Sequence, residues 1–182
     1  PLYGGTELLI RKFLPDFNIQ TGELNDGLDE KSMLDSIRNA SKKGRVAMVF
    51  IESPANPTNS LVDIEALNRV LDTIKSETGH RPISVCDNTL MGPIFQQVVP
   101  QGIDIAMYSL TKYVGGHSDL VAGAVCGSIE MLRPVRATRG MLGLTLDPHS
   151  SWMISRSLET LNIRMQRSAD SGYKVAKWIN DN

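Results

Sequence analysis

The sequence predicts an α/β fold, a mostly parallel sheet with helices on both faces. Three observations predict it. Short apolar runs alternate with amphipathic segments of helical period along most of the chain. The run Val46-Ala47-Met48-Val49-Phe50-Ile51 is apolar at every position, as in a strand covered on both faces. Polar residues capable of chemistry, Asn56, Asp87 and Ser109 to Lys112, each follow such a run, and ligands in open α/β sheets bind beyond the carboxyl ends of strands.

Gly4-Gly5-Thr6 opens the first helix, with Thr6 as N-cap and an apolar face at Leu8, Leu9 and Phe13. Its N-terminus offers backbone donors to an anion. Phe17-Asn18-Ile19-Gln20 reads as a short strand, and Asp29 to Ser41 as a helix with Met33, Leu34 and Ile37 on one face. A strand from Arg45 to Ile51 ends in Glu52-Ser53-Pro54-Ala55-Asn56-Pro57, a rigid polar loop. Asp63 caps a helix running to about Thr78, where Ile64, Leu67, Val70, Leu71 and Ile74 are spaced for one buried face, and Gly79 stops it. Pro82 to Asp87, Gly102 to Ser109 and Val121 to Gly127 are short apolar strands. Glu130 to Thr138 and Asp147 to Asn182 read as helices, the second broken near Asn162.

At 182 residues the chain is one domain by length, large enough to bury roughly 70% of its unfolded surface. A net charge of −1 gives no electrostatic bias toward nucleic acid or an anionic membrane. Cys86 and Cys126 lie in apolar runs and form no Cys-x-x-Cys pair, which predicts buried free thiols in a reducing, cytoplasmic setting. No stretch has the length and apolarity of a transmembrane helix, and the N-terminus lacks a signal-peptide pattern. The chain opens on Pro1 and closes at Trp178-Ile179-Asn180-Asp181-Asn182 inside an unfinished amphipathic pattern, so it reads as a portion of a longer protein.

The chemistry centres on Lys112. A lysine flanked by the hydroxyls of Ser109 and Thr111, downstream of a strand-end Asp87, suits pyridoxal 5'-phosphate (PLP). That cofactor needs an amine for its aldehyde, a carboxylate to keep its pyridine nitrogen protonated, and donors around its phosphate. At about 4 Å and an effective dielectric near 20, the carboxylate–pyridinium pair is worth roughly 4 kcal/mol. Taken singly, each residue has an ordinary explanation. A lysine after a loop is usually a solvated charge, Ser-x-Thr is common turn chemistry, and Asp87 alone could be a helix cap. A parallel sheet would bring Asn56, Asp87 and Lys112 to one edge, which unrelated surface residues would not share.

Four blocks carry a resemblance: Tyr3-Gly4-Gly5-Thr6, Glu52 to Pro57, Asp87-Asn88-Thr89, and Ser109-Leu110-Thr111-Lys112-Tyr113-Val114-Gly115-Gly116-His117-Ser118-Asp119. In these the chain resembles the Cys/Met-metabolism PLP enzymes, the family of cystathionine γ-synthase, cystathionine γ- and β-lyases, methionine γ-lyase and O-acetylhomoserine sulfhydrylase. The resemblance runs from Tyr3 to about Arg167. It implies the large PLP-binding domain of fold-type I (aspartate aminotransferase-like) enzymes over 1–160, and over 161–182 the start of a helix leading to a further domain.

It also implies roles. Lys112 would carry the internal aldimine and shuttle protons, a role suited to a lysine whose pKa is depressed by burial and a neighbouring cation. Asp87 would pair with the pyridine nitrogen. Tyr3 would stack on the ring and act as an acid toward the leaving group, Asn56 would bond the ring hydroxyl, and Ser109 and Thr111 would bind phosphate. The implied reaction is C–S cleavage in a sulfur amino acid, cystathionine or methionine, by γ- or β-elimination, with γ-replacement as the alternative. The implied assembly is a homotetramer with sites shared between subunits. The family's N-terminal arm and phosphate loop would precede Pro1, and the arginine for the substrate carboxylate would follow Asn182. Gly5 stands where some methionine γ-lyases have cysteine, and Leu90-Met91 and Asp147 to Trp152 differ from the usual cystathionine enzymes.

Two other classes compete. Asp87, His117 and Asp119 are possible metal ligands, but no compact ligand spacing supports a metal-assisted hydrolase, and His117 suits a structural bond in the Gly-rich loop. Arg133, Arg136 and Arg139 fall near one helical face and could serve a non-catalytic interaction domain, although neighbouring acids and the neutral total charge favour a solvated or subunit-facing surface.

Overall fold

The structure, a computed structural model, describes residues 2–182. Its centre is a four-stranded sheet in the order β1 (Met48–Glu52), β2 (Ile83–Asp87), β3 (Ile105–Ser109), β4 (Gly123–Gly127). The first three strands are parallel and β4 runs antiparallel to β3, so the sheet is mostly parallel as the alternation predicts. The parallel register sets Glu52 opposite Asp87, and Asp87 opposite Met107. Neighbours in register share a face, so the two carboxylates stand side by side on the same side of the sheet.

The opposite face carries the main core. Helices α2 (Glu30–Ser41) and α3 (Ile64–Thr78) supply Met33, Ile37, Leu67, Val70, Leu71 and Ile74, packed with Val49, Ile51, Cys86 and Ala106 of the sheet. Both helices begin as their sequence directs. The Asp29 carboxylate accepts Lys31 N–H and the Asp63 carboxylate accepts Ala66 N–H. Gly79, at φ 77°, ends α3 in a left-handed turn. Fully burying a leucine such as Leu67 or Leu71 contributes about 1.5–3 kcal/mol, so this six-residue stripe anchors the sheet.

A second, smaller cluster lies under the turn that follows β3. Val114, Leu161 and Met165 are buried together, with Ile94, Leu110 and Ile154 packed against them. It joins that turn to the helical C-terminal part: α4 (Ile129–Leu142), α5 (Pro148–Leu158) and α6 (Leu161–Asp181).

Several expectations are corrected. The first helix, α1 (Gly4–Leu8), starts after Tyr3, so Thr6 lies inside it rather than capping it, and it continues as a π segment over Leu9–Phe13 and a 3₁₀ turn over Leu14–Phe17. Its apolar face is not buried, Leu8 and Phe13 being more than half exposed. Phe17 to Gln20 is not a strand: Asn18 takes a left-handed conformation at φ 58°, and among the described residues no strand pairs with it. The strands begin later than the apolar runs because pairing sets their limits; β1 starts at Met48, opposite Ile83. The long last helix breaks at Glu159–Thr160, close to the expected Asn162, and α4 extends to Leu142. Among the described residues no helix is long and apolar enough to cross a membrane.

Candidate functional site

Asp87 and Ser109 end β2 and β3, and Asn56 and Lys112 follow the carboxyl ends of β1 and β3. Asp87 ends β2 and is 8% exposed. Its Oδ1 accepts the Thr89 N–H at 3.1 Å and the Thr89 hydroxyl at 2.6 Å. The Thr89 Oγ1 accepts in turn from the Ser109 N–H at 2.8 Å, which ties the end of β2 to the end of β3. Ser109 C=O then accepts the Lys112 N–H at 3.1 Å. A continuous chain of hydrogen bonds thus runs from the aspartate to the backbone of the lysine. The lysine side chain is exposed, contrary to the sequence expectation that it is buried.

A second group forms around Glu52, which is 7% exposed at the end of β1. One carboxylate oxygen accepts the Tyr3 N–H at 2.6 Å and the other accepts the Asn56 N–H at 2.9 Å. Charge-assisted bonds of this kind are roughly twice as strong as neutral ones. Tyr3 and Asn56 are therefore fixed through their main chains, and both side chains remain exposed. The Ser53 N–H, bonded to Asp87 C=O at 3.4 Å, connects this group to the first.

Behind Asp87, Asn88 is fully buried. Its amide donates to Gln96 C=O at 2.9 Å and Tyr108 Oη at 3.1 Å, and Gln96 Nε2 donates to Ser53 C=O and Asn88 Oδ1. Desolvation pushes the Tyr108 phenol above its ordinary pKa, so it stays protonated. This network braces the three strand ends against one another.

The remaining expected residues are placed less directly. The Thr111 hydroxyl is occupied, accepting Ala122 N–H at 3.0 Å and donating to Ala122 C=O at 3.3 Å. Thr111 therefore pins the lysine turn to the segment before β4. An open cleft of about 740 Å³ borders that turn; Thr111, Lys112, Asp119 and Ser150 line it, whereas Asp87, Asn56 and Tyr3 do not. His117 Nδ1 lies 2.7 Å from Gly115 O, a structural bond within the loop. Among the described residues, no group of three or more His, Cys, Asp or Glu side chains is placed to hold a metal. Cys86 is buried, and burial pushes its thiol up to about 12; Cys126 is exposed, correcting the expectation that both are buried.

The donor set fits PLP. Asp87 is anchored through Oδ1 alone, and its Oδ2 is neither bonded nor sealed from the surface among the described residues. Lys112 Nζ, Ser109 Oγ, the Asn56 side-chain amide and Tyr3 Oη likewise have no hydrogen-bond partner among the described residues. An unspent carboxylate oxygen, amine, hydroxyl, amide and phenol at one sheet edge match the groups that a pyridine nitrogen, an aldehyde, a phosphate and a ring hydroxyl require. Glu52 and Thr89 are the residues that sequence reasoning missed. Both stand inside recognisable blocks, but only the fold shows that they hold their neighbours.

The chain is similar to known proteins. The family described as Cys/Met metabolism PLP-dependent enzyme matches residues 1–182. The chain is 34% identical over 181 residues to the L-methionine gamma-lyase of Fusobacterium nucleatum subsp. polymorphum, a match covering 98% of this chain and 43% of that one. It is 32% identical over 176 residues to the chloroplastic cystathionine gamma-synthase 1 of Arabidopsis thaliana, covering 96% of this chain and 29% of that one. The crystal structure of cystathionine gamma-lyase from Lactobacillus plantarum, complexed with L-serine, superposes with a TM-score of 0.84 at 28% identity, covering 98% of this chain and 44% of that one. The chain thus spans less than half the length of the curated relatives it matches.

Proposed function

The chain belongs to the Cys/Met metabolism family of PLP-dependent enzymes, and from that premise we propose that it forms the cofactor-holding part of a C–S lyase. Its substrate is a sulfur amino acid, cystathionine or methionine, cleaved by γ- or β-elimination. The observation that carries the reading is the Asp87 carboxylate, buried, fixed through one oxygen and unspent at the other, on the same sheet edge as Lys112.

Bound PLP supplies an electron sink for the pair released when a bond to the substrate α carbon breaks. Asp87 Oδ2 accepts the pyridine N–H and keeps that proton in place. Lys112 Nζ would hold the cofactor through its aldehyde and would move protons to and from the substrate carbons. Ser109 Oγ donates to the phosphate, with Thr111 holding the turn against Ala122. The Asn56 amide bonds the ring hydroxyl. Tyr3 would hold the face of the ring and would give a proton toward the leaving sulfur. Glu52 keeps these last two in position.

The protein is proposed to be cytoplasmic and homotetrameric, with the segment 161–182 leading from the cofactor domain toward a further one. Exposed apolar residues of α4, Ile129 at 82% and Met141 at 78%, support burial of that surface in an assembly. The family also contains replacement enzymes, and the relative named as a synthase favours γ-replacement as the second reading.

Addition of PLP, reduction with borohydride and peptide mapping test the cofactor site. A pyridoxyl group confined to Lys112 is expected; a folded sample with no selective adduct overturns the reading. Release of ammonia and a keto acid from cystathionine or methionine identifies the lyase, whereas turnover only of an activated homoserine with a thiol identifies the replacement enzyme.

A further inference from the structure

Arg164 lies in the first turn of α6, half-buried, and its guanidinium spends four of its five N–H groups. Nε donates to Thr160 Oγ1 at 3.0 Å, within the same turn. Nη1 donates to Tyr113 C=O at 2.6 Å. Nη2 donates to Val114 C=O at 3.0 Å and to Ser157 C=O at 2.8 Å. The Ser157 carbonyl is in the last turn of α5, where helix geometry leaves it without an i+4 partner. One side chain therefore closes the α5–α6 corner and grips the two residues that immediately follow Lys112.

The turn is shaped for this contact. Gly115 N–H bonds Leu110 C=O and Gly116 N–H bonds Lys112 C=O, each at 2.7 Å, so the lysine's own carbonyl is tied back into the turn. Gly116 sits at φ 77°, and a Cβ there would collide with the Arg164 guanidinium. The buried cluster of Val114, Leu161 and Met165 lies beneath the same junction. A lysine at 164 could not reproduce the pattern, because its three donors radiate from one atom whereas the four acceptors here are spread over three segments.

We propose that Arg164 is a positioning residue for Lys112: it fixes the orientation in which the amine meets the cofactor and couples that orientation to helix α6. The inference rests on the reading of Lys112 as the cofactor's lysine. Arg164 touches neither cofactor nor substrate in this account and acts through the Tyr113 and Val114 carbonyls.

The test uses the PLP-loaded protein in wild-type, Arg164→Ala and Arg164→Lys forms. Three readouts are taken: borohydride-trapped pyridoxyl at Lys112 relative to other lysines, the pH midpoint of the bound cofactor's visible absorbance, and amide exchange at Gly115 and Gly116. In Arg164→Ala, selectivity for Lys112 falls about 10- to 100-fold, the scale expected when a reacting group is misplaced by about 1 Å. The pH midpoint shifts, the two amides exchange faster, and added guanidinium, but not an equal concentration of ammonium, restores all three. Arg164→Lys falls between and carries the test if the alanine variant fails to fold. Wild-type labelling at Lys112 with unchanged selectivity and midpoint in the variants overturns this inference alone. Absence of Lys112 labelling in the wild type overturns the cofactor reading and this inference with it.

Discussion

Thr89 stands between Asp87 and Ser109, its hydroxyl donating to the Asp87 carboxylate at 2.6 Å while accepting the Ser109 amide at 2.8 Å. A single small side chain thus sets the distance between the ends of two parallel strands. It also settles which carboxylate oxygen is spent and which is left for a ligand.

Thr89→Val keeps the volume of the side chain but removes both bonds. An unsatisfied buried amide and a loosened carboxylate cost about 1–3 kcal/mol. Urea unfolding is expected to show that loss, and PLP titration a weaker affinity, with Thr89→Ser recovering most of both. Wild-type affinity in the valine variant would refute the relay.

Lys112→Ala is expected to abolish the pyridoxyl adduct while leaving far-UV circular dichroism and the unfolding midpoint near wild type, since the side chain is exposed and unbonded among the described residues. Persistence of a selective adduct at another lysine would move the site.

The two thiols should behave oppositely. Cys86, buried and pushed up to about 12, holds no thiolate near neutrality, whereas Cys126 is exposed. A thiol reagent should therefore modify one cysteine in the native protein and two after unfolding. A folded-state pKa raised from 9.0 to about 12 favours the protonated form, so the contribution is complete below 9.0 and is lost as pH rises toward about 12. The raised Tyr108 phenol acts in the same direction. Stability measured across that alkaline window should decline; a flat profile would contradict the burial of Cys86.

At the opposite edge of the sheet, Asp104 Oδ2 accepts from Ser84 N at 2.8 Å, Ser84 Oγ at 2.9 Å and Arg81 Nη1 at 3.0 Å. Asp104→Ala leaves the buried Ser84 N–H and the Ser84 O–H proton without their acceptor, at about 2–4 kcal/mol. Thermal melting should detect it, and pyridoxylation of Lys112 in the folded variant should be unchanged. A variant that loses labelling without losing stability would show that the two edges are not independent.

The amphipathic periods of Asp29–Ser41 and Asp63–Thr78 and the apolar run ending at Ile51 were enough to place two helices and a strand, because burial on one side is written directly in residue order. The convergence of Asn56, Asp87 and Lys112 was legible for the same reason, strand ends being visible as the limits of apolar runs. Phe17 to Gln20 forms no strand because β-prone side chains make one only where a neighbour exists to pair, and among the described residues none does. Thr6 misled because the helix begins earlier, at Gly4. Glu52, Thr89 and Arg164 were invisible as functional positions. Their importance lies in partners up to 51 residues away, and no local pattern encodes a bond of that range.

The Glu52 anchor also has a bearing on how such a site can be retuned. Its two oxygens grip main-chain amides of Tyr3 and Asn56 and leave both side chains untouched. Whatever residue occupies position 3 or 56 inherits the same attachment, provided it is not proline. An engineer seeking a different leaving group or a different ring partner can therefore exchange those two side chains while the scaffold that presents them stays put.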